Sequence, residues 1–193
     1  MTMKKKLTVI VTAVTLVALI AIGATLAWFT DSKEVTNVVT MGNVRITLTE
    51  PIFSAEHENN TIADVLPGQP IVKDPTIENV GNNDAYIRAK IEIVSENENF
   101  TADRAAEVEA ALDVTNGWVK GEDGYYYYQN VLAAGADPIT LFTGLTIPTS
   151  WGNEMKDVTF DINITAYAIQ SDYFTPDKEE DIIVGWSAAE AAE

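Results

Sequence analysis

The sequence predicts an all-β protein, an antiparallel sandwich with one short helix in a connection, carried behind a cleavable N-terminal signal. Three observations predict it. Apolar and polar residues alternate with period two in several stretches, the mark of half-buried strands. Turn residues punctuate the chain at modest spacing, at Pro67-Gly68, Asn79–Asp84, Asp123-Gly124, Gly135 and Pro148–Gly152. The first 27 residues hold Lys4, Lys5 and Lys6, an uncharged run Leu7–Ala27, and the ending Thr25-Leu26-Ala27 with small residues at its first and third positions, which is the form of a secretory signal. Many short strands with one helix point to a sandwich, and periodicity does not separate a jelly roll from an immunoglobulin-like topology.

The apolar run is longer than a usual signal core and close to spanning length, so a retained membrane anchor is the competing reading. Interrupting threonines and alanines, and the Thr-x-Ala ending, favour cleavage between Ala27 and Trp28. The expected organisation is a signal peptide over 1–27, an extended arm over 28–41 and a sandwich domain over 42–193. Cleavage leaves 166 of the 193 residues, enough for one well-buried core. It takes away three of the 12 basic residues and none of the 29 acidic ones, so the charge falls from −17 to −20. Such a charge repels nucleic acid and anionic lipid. With no cysteine there is no disulfide, and an exported chain of this kind draws its stability from its core, from bound ions or from partner subunits.

In order, Val44, Ile46 and Leu48 alternate with Arg45, Thr47 and Thr49 to give a first strand, started by Gly42-Asn43. Residues Ser54–Thr61 are polar and charged and read as a loop. Ile71–Ile77 reads as a short extended piece in which Pro70 and Pro75 argue for an edge. A long strand follows, with Ala85, Ile87, Ala89, Ile91 and Ile93 on one face and Tyr86, Arg88, Lys90 and Glu92 on the other. Thr101–Leu112 is alanine-rich, with Thr101 placed to cap it and Asn116-Gly117 beyond its end, so it is the predicted helix. Asp123-Gly124 between Trp118–Lys120 and Tyr125–Tyr128 predicts a hairpin. Ile139–Ile147 is an apolar segment between turns. The last long strand points Val158, Phe160, Ile162, Ile164, Ala166 and Ala168 inward.

The sequence offers little chemistry. His57, the one histidine, lies between two glutamates in a polar stretch and lacks a second histidine at helical spacing, so the zinc-protease signature is absent. A zinc site needs three or four ligands, and His57 reads as a solvated surface group. No cysteine can act as nucleophile, and a triad has little support. The carboxylates Asp172, Asp177, Glu179, Glu180 and Asp181 lack the spacing of a calcium loop and read as a solvated or disordered face. Four consecutive tyrosines invite a carbohydrate-binding reading. Successive strand residues point to opposite faces, however, so two of the four are expected to build the core. No catalytic residue, metal or cofactor is assigned.

The signal ending at Ala27 is followed at once by Trp28-Phe29-Thr30-Asp31, then by Asn37 and Gly42 leading into Val44-x-Ile46-x-Leu48. Further on come Leu66-Pro67-Gly68, then Ile77-x-Asn79-x-Gly81-x-x-Asp84-Ala85-Tyr86-Ile87-Arg88, and Ala166-x-Ala168-Ile169-Gln170. In this order and spacing the pieces resemble the TasA/camelysin family, exported through a dedicated SipW-like signal peptidase. The middle, from Gly117-Trp118 to Ile147-Pro148, resembles clostridial relatives. The resemblance implies a jelly-roll subunit of an extracellular biofilm-matrix fibre, in which the N-terminal arm of one subunit adds as a strand to the next. Candidate anchors on the arm are Trp28, Phe29, Val35, Val38 and Val39. The implied partners are further copies of the chain, the signal peptidase and accessory matrix proteins, with the membrane involved only before cleavage. Camelysin was classed as a metalloprotease, an activity that this sequence, lacking the zinc motif, does not support. The alternatives are a monomeric adhesin or carbohydrate-binding module and a camelysin-like surface metalloprotease.

Overall fold

The computed structural model describes residues 39–41, 44–57, 60–62, 65–155, 158–172 and 174–187. The chain divides into two units, Met1–Val35 and Thr36–Glu193, and every described residue belongs to the second. In chain order the second unit has strands β1 (Val39–Met41) and β2 (Ile46–Thr49), helix α1 (Pro51–Glu56), and strands β3 (Pro70–Val72), β4 (Thr76–Asn79) and β5 (Ala85–Val94). Helix α2 (Ala102–Ala110) precedes β6 (Leu112–Val114), β7 (Trp118–Lys120), β8 (Tyr125–Tyr128), β9 (Ile139–Thr140) and β10 (Phe142–Thr146). A 3-10 turn at Asn153–Met155 leads to β11 (Asp161–Gln170), β12 (Asp177–Glu179) and β13 (Ile182–Gly185).

The long alternating segments form the spine. Strands β5 and β11 pair antiparallel over ten residues each, from Asp161 opposite Val94 to Gln170 opposite Ala85. Their side chains put Ile87, Ala89, Ile164, Ala166 and Ala168 into the core. Around them the first sheet runs β1-β11-β5-β8-β7. Asp123-Gly124 turns β7 into β8 as predicted, with Gly124 at φ 82°.

The second layer is two short sheets, β2-β4-β9 and β3-β10-β6, joined across a kink. Pro75 has no N–H to give the ladder, so the extended piece breaks into β3 and β4. The Lys73 N–H still donates to the Thr143 carbonyl (3.3 Å) and the Leu141 N–H to that of Pro75 (2.9 Å), which carries the pairing past the break. Gly144 is required there, because a Cβ would sit 2.3 Å from the Ile71 carbonyl oxygen. Ile46, Ile77, Leu141, Phe142 and Leu145 of this layer meet the first sheet in one core, which Val108 of α2 joins. The result is the antiparallel β-sandwich the sequence predicts, and the expected helix runs over 102–110, with the Thr101 hydroxyl accepting from the Arg104 N–H at 3.4 Å.

Two expectations change. The stretch read as a loop from Ser54 starts inside α1. Pro51 suits the first helical position, and the N–H groups of Ile52 and Phe53, which have no partner within the helix, are capped by the distant Asp74 carboxylate at 3.0–3.1 Å. The acidic segment near the C-terminus, read as solvated or disordered, forms the β12–β13 hairpin. Its Ile183 and the following Trp186 are buried with Tyr127 on the outer face of the five-stranded sheet.

Candidate functional site: the free edge of the long strand

Strand β11 combines an edge that is mostly unpaired among the described residues with an incompletely covered inner face. On one side it pairs with β5 along its whole length. On the other, β1 runs parallel to it and covers only Tyr167, Ala168 and Ile169. Among the described residues nothing pairs with that side of residues 161–166.

Burial fades toward the same end. Ile164 and Ala166 are buried, whereas Ile162, Ile93 across from it on β5, and Ile91 across from Ile164 are only half-buried although they point inward. Val94, opposite Asp161, is 47 % exposed. Beside them Phe100 and Phe160 stack with centroids 5.1 Å apart, and Trp151 meets both edge-on at 6.1 and 6.0 Å. Trp151 is fixed by its indole N–H, which donates to Glu107 at 2.5 Å. That bond and the Arg104 guanidinium hold the Glu107 carboxyl below its ordinary range. The site is therefore a rigid aromatic corner beside apolar side chains that the second layer does not fully cover.

Of the residues singled out from sequence, Ala27, Trp28, Phe29, Val35 and Val38 lie outside the described residues. Val39 is in β1, its backbone opposite Tyr167. His57 is half-buried, its ring 4.9 Å from that of Phe53. Among the described residues no three His, Cys, Asp or Glu side chains come together to hold a metal, so they do not fit a zinc centre. Among them, too, no helix is long and apolar enough to cross a membrane, and Leu7–Ala27 lies outside this set. The tyrosine run contributes two core residues, Tyr126 and Tyr127, but they are neighbours and serve opposite faces. The hairpin over the outer face gives Tyr127 a second core, which alternation along one strand could not foretell.

Sequence reasoning looked for an edge at Pro70 and Pro75 and did not single out β11, because alternation identifies a strand but not its neighbours.

Fold and site define a cysteine-free β-sandwich domain whose longest strand has one side largely unpaired among the described residues. The chain belongs to the camelysin metallo-endopeptidase family, which it matches over residues 2–116, more than half its length and as far as the turn before β7. No curated protein and no solved structure matches it.

Proposed function

We propose that the chain is an exported structural subunit of an extracellular fibre, which polymerises when the N-terminal arm of one copy pairs with the free edge of β11 in the next. The observation that carries this reading is the length of β11 over residues 161–166 that has no strand beside it among the described residues, next to half-covered Ile91, Ile93 and Ile162. An added strand gains main-chain hydrogen bonds, and its alternate side chains fill apolar gaps. Six strand residues span about 20 Å, and Trp28–Val35 is long enough to cover them. Trp28, Phe29 and Val35 then act as anchors, while Val39 belongs to β1 of the donor's own sheet. Donation from head to tail does not close on itself, so the product is a filament. Export by the signal over 1–27, with cleavage between Ala27 and Trp28, precedes assembly. Membership of the family supports a secreted protein of this kind.

Negative-stain electron microscopy of the chain beginning at Trp28, beside one beginning at Thr36, tests the reading. The second keeps β1 but lacks Trp28, Phe29 and Val35. Filaments are expected from the first and dispersed particles from the second, whereas dispersed particles from both would sink it. The family's description supports a second reading, a surface metallo-endopeptidase. Casein cleavage by the pure chain, abolished by a chelator, would establish that one.

A further inference from the structure

The outer face of the five-stranded sheet gathers phenols round one cation. Tyr125 of β8 and Tyr167 of β11 stand on either side of β5, where Arg88 is directly opposite Tyr167. The Arg88 guanidinium carbon lies 4.1 Å from the Tyr125 ring centroid and 5.4 Å from that of Tyr167. Attraction of both ring faces to one cation draws the rings together across the strand between them. Their centroids are 5.6 Å apart at an interplanar angle of 76°, and both rings are half-buried, so solvent reaches them.

The neighbouring phenols are placed differently. The Tyr127 ring is fully buried and its hydroxyl donates to Asp123. The buried Tyr126 donates to Glu109 at 3.0 Å. Tyr128 packs on Trp118 at 5.3 Å and Tyr86 on Phe174 at 6.1 Å.

We propose that Tyr125 and Tyr167 are a modification site, joined within one chain as a dityrosine by a peroxidase with hydrogen peroxide. Each phenol gives one electron and one proton to the oxidant and becomes a phenoxyl radical. The unpaired electron is shared with the ring carbons ortho to oxygen, and one such carbon on each ring pairs to form a carbon–carbon bond. The hydrogens on those two carbons then move to the oxygens and restore both aromatic rings. The protein loses two hydrogens in all, and the peroxide is reduced to two waters. An edge-to-face pair needs a turn about the Cβ–Cγ bonds to bring the ortho carbons together, and that torsion is broad in tyrosine. In a chain with no cysteine the product is a covalent staple, tying the β7–β8 hairpin to β11 across β5. It forms whether or not the chain polymerises.

Dilute full-length chain treated with horseradish peroxidase and hydrogen peroxide, then digested and weighed by mass spectrometry, tests the site. The expected product is a peptide pair joined between Tyr125 and Tyr167, two hydrogens lighter than its parts, from a chain that still runs as a monomer. Dityrosine fluorescence from that band is expected to fall to the untreated level in Tyr125→Phe and in Tyr167→Phe, and to persist in Tyr86→Phe. Each change removes only a hydroxyl, and a melting curve confirms folding. If one variant fails to fold, the other decides. Joining through any other tyrosine, joining only between chains, or no joining overturns the proposal.

Discussion

Asp74 caps the start of a helix that begins 23 residues before it in the chain. Its carboxylate accepts the N–H groups of Ile52 and Phe53, while Glu50, at the N-cap, makes no capping bond with its own side chain. Glu50 is engaged elsewhere, by the Lys73 ammonium at 2.6 Å, which also lies 4.3 Å from the centre of the Phe53 ring. The polar stretch after Ser54 hid the helix because its cap is not local, and Lys73-Asp74 inside an apolar segment was the one trace of it. Asp74→Ala is expected to cost about 1–2 kcal/mol in urea unfolding, with Asp113→Ala, on an exposed strand position, as the near-neutral control. At the other end of the chain Asp177 accepts from the Ser187 N–H (2.7 Å) and hydroxyl (2.8 Å), which hold its carboxyl below the ordinary aspartate range. A lowered folded-state value gives stability above the ordinary value of about 3.9 that is lost as pH falls through the folded one. Acidification below about pH 4 should therefore lower the hydrogen-exchange protection factor of the Ser187 amide, and Asp177→Asn should remove most of that pH dependence.

Among elements, the β12–β13 hairpin is held to the sheet by a side chain imitating a strand. The Gln129 amide donates to the Ile183 carbonyl at 3.0 Å and accepts from the Ile183 N–H at 2.7 Å, while also donating to the Tyr127 carbonyl. Gln129→Ala leaves both backbone groups of the buried Ile183 without that partner. The expected result is faster hydrogen exchange at the Ile183 amide, by the factor that about 1–2 kcal/mol of local stability implies, with the β5 amides unchanged. Period two and turn chemistry make β5, β11 and the β7–β8 hairpin legible in the sequence. They could not reveal β12–β13, because Ile183 is the one buried side chain among the residues of its two strands and charge dominates the rest. The turn itself, with Glu180 at φ 47° and Asp181 at φ 71°, uses the left-handed region without a glycine to announce it.

For the whole molecule, the sandwich class followed from alternation and punctuation, while strand order did not. Nothing in the composition of Val39–Met41 says that it pairs parallel with β11 in a fold whose other ladders are antiparallel among the described strands. The side of β11 left unpaired among the described residues is a property of that order, which is why it could be read only from the fold. Filament formation from the chain starting at Trp28, and its loss on starting at Thr36, is the expectation at this scale. The ten-residue ladder between β5 and β11 also has a mechanical meaning. A pull directed along β11 loads that ladder in shear, so its rungs resist together instead of opening one after another. The second layer has no ladder of comparable length and is creased at Pro75, so tension is borne by the first sheet and slack is taken up in the second.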